Sequence, residues 1–504
     1  MEHSDIVIVG AGLSGIGLAH HLRRKCPSKH FVILEGRHAI GGTWDLFRYP
    51  GVRSDSDMHT LGYKFKPWRE AKAIADGPSI LRYVNEVAEE DHTRERIRFG
   101  HRVTGASWSS ESATWIVEAE QVETGRTVRF TCNMLLMCGG YYRYDRGHDA
   151  GFEGTEDFGG AIVHPQFWPV DLDYTGKRVV IIGSGATAMT LVPAMAEQAA
   201  EVVMLQRSPT YVVSWPSQDK TANRLRRFLP ERLAYAITRR KNVRNDQNFY
   251  RRTRVEPEAV KAELIGAVRA ELGEDYDVET HFTPRYYPWD QRLCLVPDSD
   301  LFASIRSGKA RVVTDTIERF TKKGLKLGSG SELEADIIVT ATGLELAVMS
   351  GVALRVDGAP VDISQRWTYK GMMYSGVPNL VQTFGYINAS WTLRADLTAE
   401  YACRLIRRMD ELGMRKCVPE LRDKDRDMPA LPWIDDFPAG YMQRSMHLLP
   451  RQGDRDPWRH TQNFDEDVRL VRKAPVDDDV LRFSRPAAEV AAAVAEPAPM
   501  AAAR

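Results

Sequence analysis

Strand-like runs recur along this chain, and a turn of small residues follows the first and the third of them. Apolar, β-branched runs occupy residues 6–9, 30–34, 178–182, 201–205 and 335–340. Such runs are typical of strands buried in a parallel sheet. Apolar residues at helical spacing follow the first and third runs. Because strands that alternate with helices indicate an α/β architecture, we expect two Rossmann-like dinucleotide-binding domains.

The first turn has the glycine spacing of a nucleotide site. Gly10 permits a tight turn, Gly12 lets the backbone approach a pyrophosphate, and Gly15 lets the helix pack on the strand. The helix start, with Ser14, offers unpaired N–H groups to phosphates. The next strand ends at Glu35, whose carboxylate can bind ribose hydroxyls. We predict a site for FAD or NAD; the alternative is a flexible glycine loop.

The second turn ends in the opposite charge. Its residues are Gly183, Ser184, Gly185, Ala186, Thr187 and Ala188, and the strand that follows ends before Arg207 and Ser208. A carboxylate would repel a 2′-phosphate, whereas a guanidinium pairs with it. We predict that this site binds NADPH; the alternative for Arg207 is a solvated charge at a strand end.

Two such sites suggest a flavoprotein that NADPH reduces. A strand that runs into Ala341-Thr342-Gly343 fits a crossing between the two domains. The six cysteines contain no CxxC pair, and Cys132 and Cys138 are too far apart along the chain for an obvious dithiol. This usage also disfavours a disulfide framework and a zinc site. We therefore expect dioxygen to be the electron acceptor.

Two long motifs lie between and beside these turns. The first is FxGxxxHxxxWP, at Phe158, Gly160, His164, Trp168 and Pro169; the second is GGxWxxxxYPGxxxD, from Gly41 to Asp55. In both, the chain resembles the Baeyer–Villiger class of flavoprotein monooxygenases. It is most similar to the branch that contains the ethionamide-activating monooxygenase of mycobacteria, and the resemblance extends to about residue 485.

The resemblance implies FAD, NADPH, dioxygen and a small-molecule ketone or sulfide. In that class NADPH reduces FAD, and a C4a-peroxyflavin converts ketones to esters or lactones. The protonated form oxidises sulfides or thioamides. Two alternatives remain open: a flavin-containing N- or S-monooxygenase without ketone activity, and a non-catalytic FAD/NADPH-binding sensor.

The resemblance also implies roles for individual residues. Arg292 would be the active-site guanidinium that stabilises the peroxide, with Asp55 as its partner. Arg53 and Ser54 would lie near the nicotinamide, and Val103 near the adenine end of FAD. Thr43, Trp44, Asp45 and Leu46 would line the flavin ring. His164 would couple domain movement instead of transferring protons, and Gln291 replaces a lysine that often contacts the 2′-phosphate.

The domain organisation follows from these assignments. We predict FAD-binding segments at 1–145 and 346–485, NADP-binding segments at 146–212 and 291–345, a helical insertion at 213–290, and a disordered Ala/Pro-rich tail at 486–504. The stretch between residues 220 and 255 contains twelve Lys and Arg residues but only two acidic residues. This stretch forms part of the substrate cleft in the resembled class; a solvated face and weak association with anionic lipid are the alternatives.

Composition narrows the setting. The 504 residues include 68 Lys and Arg and 68 Asp and Glu, a balance that disfavours nucleic-acid binding. The start of the chain does not have the pattern of a signal peptide. A run of roughly 20 apolar residues, which a membrane span needs, is absent from the sequence. We expect a cytoplasmic protein, peripheral to a membrane at most; the sequence predicts no oligomeric state.

Overall fold

The first part of the chain forms a mixed sheet with helices beside it. A computed structural model describes residues 1–291, 293–434 and 440–489, without the side chain of residue 441. The first elements are β1 (Glu2–Val9), α1 (Leu13–Lys25), β2 (Phe31–Leu34), α2 (Thr43–Leu46), α3 (Met58–Leu61), α4 (Gly77–Glu90), β3 (Ile97–Arg98), β4 (His101–Ser109), β5 (Thr114–Gln121) and β6 (Thr127–Met137). β1 pairs in parallel with both β2 and β6, and β4, β5 and β6 form an antiparallel meander.

The middle part forms a second sheet. Its elements are β7 (Ala161–Val163), β8 (Arg178–Ile182), α5 (Ala186–Ala196), β9 (Glu201–Gln206), β10 (Val212–Trp215), α6 (Lys220–Phe228), α7 (Glu231–Val255), α8 (Pro257–Leu272), α9 (Val278–Phe282), β11 (Cys294–Pro297), α10 (Asp300–Arg306), β12 (Ala310–Thr314), β13 (Ile317–Thr321), β14 (Gly324–Leu327), β15 (Glu332–Glu334) and β16 (Ile337–Thr340). The strand order β12-β9-β8-β16-β7 is parallel throughout.

The last part returns to the first sheet. It contains β17 (Ala353–Val356), β18 (Ala359–Pro360), β19 (Thr368–Tyr369), β20 (Met373–Tyr374), β21 (Leu380–Gln382), α11 (Trp391–Leu412), β22 (Lys416–Pro419), α12 (Gly440–Ser445), α13 (Phe464–Asp467) and β23 (Leu481–Ser484). β17 pairs with β4 and β21 pairs with β6. The first nucleotide unit is therefore built from both ends of the chain.

Alternate side chains of the central strands supply separate cores. Ile6 and Ile8 of β1 pack with α1 and α11, whereas Val7 and Val9 pack against the β4–β6 meander. All four residues of β2 are buried, as the continuous apolar run predicts for a parallel strand. The predicted α/β fold with two Rossmann-like units is confirmed; the domain boundaries stay predictions.

The insertion is mostly helical, with one difference from the prediction. Residues 212–215 form β10, which pairs in parallel with β11 and so joins the two ends of the insertion. Helices α6 to α9 lie between them. This run is too short to be recognised as a strand from its pattern alone, and its pairing partner lies about eighty residues further along the chain.

Helix α7 of the insertion is fastened to the first unit. The guanidinium of Arg239 is buried and donates to the carbonyls of His59, Thr60 and Gly62, at 2.8, 3.0 and 2.7 Å. These carbonyls are at the C-terminal end of α3, where helical partners are missing. One turn later, Asn242 donates to Asp57, the N-cap of α3, at 3.0 Å. Both ends of α3 are therefore held by α7.

The last described residues pack on the first sheet, and no membrane span is identified among the helices that the structure describes. Within the described ranges no helix is both long and apolar enough to cross a bilayer. Of the predicted tail, Ala487 and Ala488 donate backbone N–H groups to the carbonyls of Ser110 and Glu111, at 3.1 and 3.2 Å. Residues 490–504 lie outside the described residues, so the disorder predicted for them stays a prediction.

Candidate active site

A large cavity opens at the carboxyl ends of β1 and β2. Its volume is 1170 Å³. The walls come from the first glycine turn, the loop at 41–44, strand β4, the crossing at 138–145 and the segment at 346–352. Clefts beyond the carboxyl ends of parallel strands are the usual ligand sites of open α/β sheets. The cavity is large enough for a dinucleotide.

The first predicted nucleotide contacts line this cavity. Gly10, Gly12, Ser14, Glu35 and Val103 are all in its wall. Oε2 of Glu35 accepts the N–H of Ala11 at 2.7 Å, and Oε1 accepts the N–H of Arg37 at 2.8 Å. Burial raises the pKa of the Glu35 carboxyl, and these two hydrogen bonds oppose the rise. The acid thus stands at the end of β2, beside the glycine turn.

The glycines of this turn have different neighbours. A Cβ on Gly15 would lie 1.9 Å from the carbonyl oxygen of Gly10, so α1 approaches β1 too closely for any side chain. A Cβ on Gly12 would meet no protein atom nearer than Gly42 Cα at 3.6 Å. Gly12 therefore leaves space in the cavity that a pyrophosphate could fill, and Gly15 serves packing.

Only part of the predicted flavin-ring set lies on the cavity. Thr43 and Trp44 are in its wall, whereas Asp45 and Leu46 are not among the lining residues. The buried Asp45 carboxylate bridges the guanidinium groups of Arg37 and Arg48. For Asp45 the geometry thus differs from the expectation: its charge is used to hold the loop.

Only some residues at the end of the GGxWxxxxYPGxxxD motif line the cavity. Ser54 and Asp55 line the cavity. Arg53 does not; it pairs with Asp300 at the start of α10. Gly51, at φ +73°, sits so close to α5 that a Cβ would lie 2.7 Å from Ala194 Cβ. The loop therefore contacts the second nucleotide unit directly, and Arg53 ties it there.

The second glycine turn lies beside that contact. Gly183 has φ +136°, and a Cβ on it would lie 2.4 Å from the carbonyl oxygen of Ala341. A Cβ on Gly185 would meet nothing within 4 Å. Ala186, Thr187 and the buried Ala188 begin α5, whose N-terminal N–H groups face the turn. Ser184 Oγ lies 3.0 Å from Thr210 Oγ1, which fixes the turn to the residues after β9.

Arg207 and Ser208 follow β9 and are exposed. Within the described residues Arg207 forms no ion pair, so its guanidinium is available to an anionic ligand. The Ser208 carbonyl accepts Ser184 Oγ at 3.3 Å, which places both residues beside the second turn. An unpaired cation at this position fits a 2′-phosphate.

His164 joins the two crossings between the units. Its Nδ1 accepts the N–H of Gln166 at 3.2 Å, so Nε2 carries the proton and lies 3.3 Å from the carbonyl oxygen of Gly343. Burial lowers the pKa of His164. A Cβ on Gly147 would lie 2.1 Å from the imidazole ring. These contacts hold His164 between the two crossings; its part in coupling domain movement stays a prediction.

Tyr141 and Tyr144 also line the cavity and were not predicted from the sequence. Ser14 Oγ lies 2.8 Å from Trp391 Nε1, and the Trp391 ring stacks on Tyr141. Tyr144 Oη lies 3.3 Å from Thr43 Oγ1, and Arg37 lies over the Tyr144 ring. The aromatic run at 141–144, directly after an apolar strand, was the signal that could have identified this wall.

The predicted catalytic arginine cannot be placed. Arg292 lies outside the described residues, so its role and its pairing with Asp55 stay predictions. Asn388 is not among the residues that line the cavity, and its side-chain amide donates to the Gln462 carbonyl at 2.9 Å. All six cysteines are buried thiols. In the described part of the chain no cluster of His, Cys, Asp and Glu could hold a metal ion.

Two glycine turns of nucleotide-binding type, the first of them beside a large cavity, fit a flavoprotein oxidoreductase, and comparison with known proteins shows its family. The chain belongs to the FAD-containing monooxygenases. It is 51% identical to EthA, the FAD-containing monooxygenase of Mycobacterium tuberculosis. The alignment spans 490 residues and covers 97% of this chain and 99% of EthA. It is 46% identical to AlmA of Acinetobacter baylyi, described as a probable FAD-binding monooxygenase, over 96% of this chain and 97% of that one.

Family and structure comparisons agree. Residues 8–76 match the family described as NAD(P)-binding Rossmann-like domain, and residues 73–253 match Flavin-binding monooxygenase-like. A steroid monooxygenase bound to NADP has a TM-score of 0.77 at 21% identity, covering 96% of this chain and all of that one. OTEMO in complex with FAD and NADP has a TM-score of 0.76 at 20% identity, over 95% and 99%. The predicted fold and the predicted monooxygenase class are confirmed.

Proposed function

We propose that this monooxygenase uses NADPH and dioxygen to convert ketones into esters or lactones, and that it also oxidises sulfides or thioamides. One oxygen atom enters the product and the other leaves as water, while NADPH supplies the two electrons. The observation that carries the proposal is the GGxW…D motif, whose Ser54 and Asp55 line the cavity while Gly51 touches the second nucleotide unit. A flavin in the cavity would thus lie within reach of a nicotinamide.

The residues present fit both cofactors. Bound FAD would supply hydride acceptance and oxygen activation. Gly12 leaves room for its pyrophosphate, and Glu35 offers carboxylate oxygens to its ribose. Arg207 offers its cation to the 2′-phosphate of NADPH. The second turn, Gly183–Ala188, has the same spacing as the first, with alanine in place of the third glycine. This repeat supports NADPH binding there.

Arg292 would act on the reacting atoms, and Asp55 would hold it in position. A fixed guanidinium stabilises negative charge that develops on oxygen, provided its position is preorganised. We infer that the Asp55 carboxylate holds Arg292 towards the cavity. The loop that carries Asp55 is kept in place by the buried Ser54, whose hydroxyl donates to the Ser56 carbonyl at 2.6 Å.

Product analysis tests the function. The purified holoenzyme, incubated with NADPH and a cyclic ketone, should give the lactone, and with an aryl methyl sulfide it should give the sulfoxide. Sulfoxide without lactone would favour the N- or S-monooxygenase alternative. NADPH consumption without either product would favour the sensor.

We also propose that the enzyme associates weakly with membrane surfaces. The excess of Lys and Arg between residues 220 and 255 supports this, since basic segments are attracted to anionic leaflets. A salt-dependent share of the enzyme should sediment with the membranes of lysed cells. Its absence from that fraction at low salt would contradict the association.

A further inference from the structure

Three exposed apolar side chains lie at the end of α6 and in the first turns of α7. Phe228, Leu233 and Ile237 are 76%, 48% and 42% exposed. Leu233 and Ile237 are one helical turn apart and share a face of α7, while Phe228 ends α6 just before the turn. Grouped exposed apolar residues mark sites of interaction with a protein or a membrane. We call these three residues the apolar tip.

Unpaired positive charge surrounds the apolar tip. Five exposed arginines form no ion pair with any described residue: Arg224, Arg227, Arg232, Arg240 and Arg244. Two nearby acids are already neutralised, because Glu231 pairs with Arg69 at 2.6 Å and Asp219 pairs with Lys241 at 2.8 Å. Apolar side chains flanked by arginines are the features of a surface that lies in the headgroup region of an anionic bilayer.

The same helix reaches the flavin cavity. Val243 packs against Tyr386 and Leu393, and Tyr386 and Ala389 are in the cavity wall. Leu233 and Val243 are ten residues apart, which is about 15 Å along a helix. One end of α7 is therefore exposed with the apolar tip, and its middle supports the wall of the site.

We propose that the apolar tip docks on an anionic lipid bilayer and that the cavity takes up apolar ketones or sulfides dissolved in that bilayer. This inference rests on the proposed function, because it names the source and the class of the substrate. The apolar tip and the cavity wall are about 15 Å apart along α7, so a substrate taken from the bilayer would enter near the site without first being transferred into bulk water, which is unfavourable for an apolar molecule.

Vesicle binding tests the docking surface. The FAD-loaded full-length enzyme should sediment with phosphatidylglycerol vesicles, more weakly in high salt, and hardly with phosphatidylcholine vesicles. The combined Phe228→Ser, Leu233→Ser, Ile237→Ser variant should lose this binding. Arg227→Gln and Arg240→Gln should each lower the partition coefficient about fivefold.

Matched controls come from exposed residues elsewhere. Val122 and Val170 are 47% and 98% exposed, and Val122→Ser and Val170→Ser should bind vesicles as the parent does. Equal sedimentation of the parent with neutral and anionic vesicles would overturn the proposal. So would self-association in sedimentation velocity that the apolar-tip substitutions abolish, if vesicle binding is absent.

Substrate delivery is tested separately. Anionic vesicles that contain a long-chain 2-alkanone should be oxidised several-fold faster by the parent than by the apolar-tip variant, while both convert a water-soluble cyclic ketone equally. Equal rates on the vesicle substrate would overturn the delivery step. Failure of both proteins on the soluble ketone, with vesicle binding intact, would refute the proposed function and not the docking.

Discussion

The backbone N–H of Ala11 donates to Glu35 Oε2 at 2.7 Å, which joins the first glycine turn to the end of β2. The buried carboxylate is held by two such N–H groups, yet burial still raises its pKa. The acid is thus fixed where a ribose would lie while remaining costly to ionise.

Glu35 should make the stability of the apoprotein depend on pH. A carboxyl whose pKa is higher in the folded state binds its proton more tightly there, so the free energy of unfolding falls as pH rises above the unfolded pKa of about 4.3. We expect Glu35→Gln to remove this fall, as measured by urea unfolding of the apoprotein across that range. Glu111→Gln, at an exposed site, is the control. An unchanged pH profile in Glu35→Gln would contradict the assignment.

Glu35→Gln should also weaken FAD binding. A hydrogen bond to a charged group contributes about 1.5–3 kcal/mol, so the dissociation constant of FAD should rise roughly tenfold to a hundredfold. Quenching of flavin fluorescence on titration into apoprotein measures this. An affinity equal to that of the parent would place the ribose elsewhere.

Gly12 and Gly15 should respond differently to alanine. Gly15→Ala forces a Cβ against the Gly10 carbonyl and should lower the free energy of unfolding by about 1–3 kcal/mol or more, with or without FAD. Gly12→Ala meets no such obstacle and should leave the apoprotein nearly as stable while FAD binding is lost. Thermal unfolding of both apoproteins and flavin content distinguish the two. Equal destabilisation by both would refute the distinction.

Arg207 should determine the choice of coenzyme. Arg207→Gln removes a cation that forms no ion pair with the described residues, so folding should be unaffected. The value of kcat/KM for NADPH should fall roughly tenfold to a hundredfold, since a charged hydrogen bond contributes about 1.5–3 kcal/mol, while that for NADH stays the same. Arg126→Gln, on an exposed turn, is the control. A parallel fall for both coenzymes would show that Arg207 does not contact the 2′-phosphate.

His164 should make the protein less stable in weak acid. Burial lowers the pKa of His164, so the folded state binds the proton more weakly than the unfolded state. Its contribution is complete above the unfolded pKa of about 6.5 and is lost as pH falls towards the folded value. Thermal unfolding of His164→Gln should show a smaller loss in this range than the parent, and His447→Gln, at an exposed site, should not.

The nucleotide turns could be predicted from local sequence patterns, whereas ion pairs between residues far apart in the chain could not. Gly10 and Gly15 could be assigned because strand, turn and helix are adjacent in the chain, so spacing alone defines their contacts. Asp45 was placed at the flavin ring by its motif, but its charge is taken by Arg37 and Arg48. The pair of Arg53 and Asp300 joins residues 247 positions apart, and no periodicity encodes such a partner.

Helix α7 belongs to the second unit by its place in the sequence but is hydrogen-bonded to the first unit. Arg239 belongs by sequence to the insertion of the second unit, yet its guanidinium grips carbonyl groups of the first. If one unit rotated against the other, α7 would move with the unit that contains the first glycine turn. Glu256, the single residue between α7 and α8, thus separates the helix attached to the first unit from the helix whose Val268 packs in the core of the second.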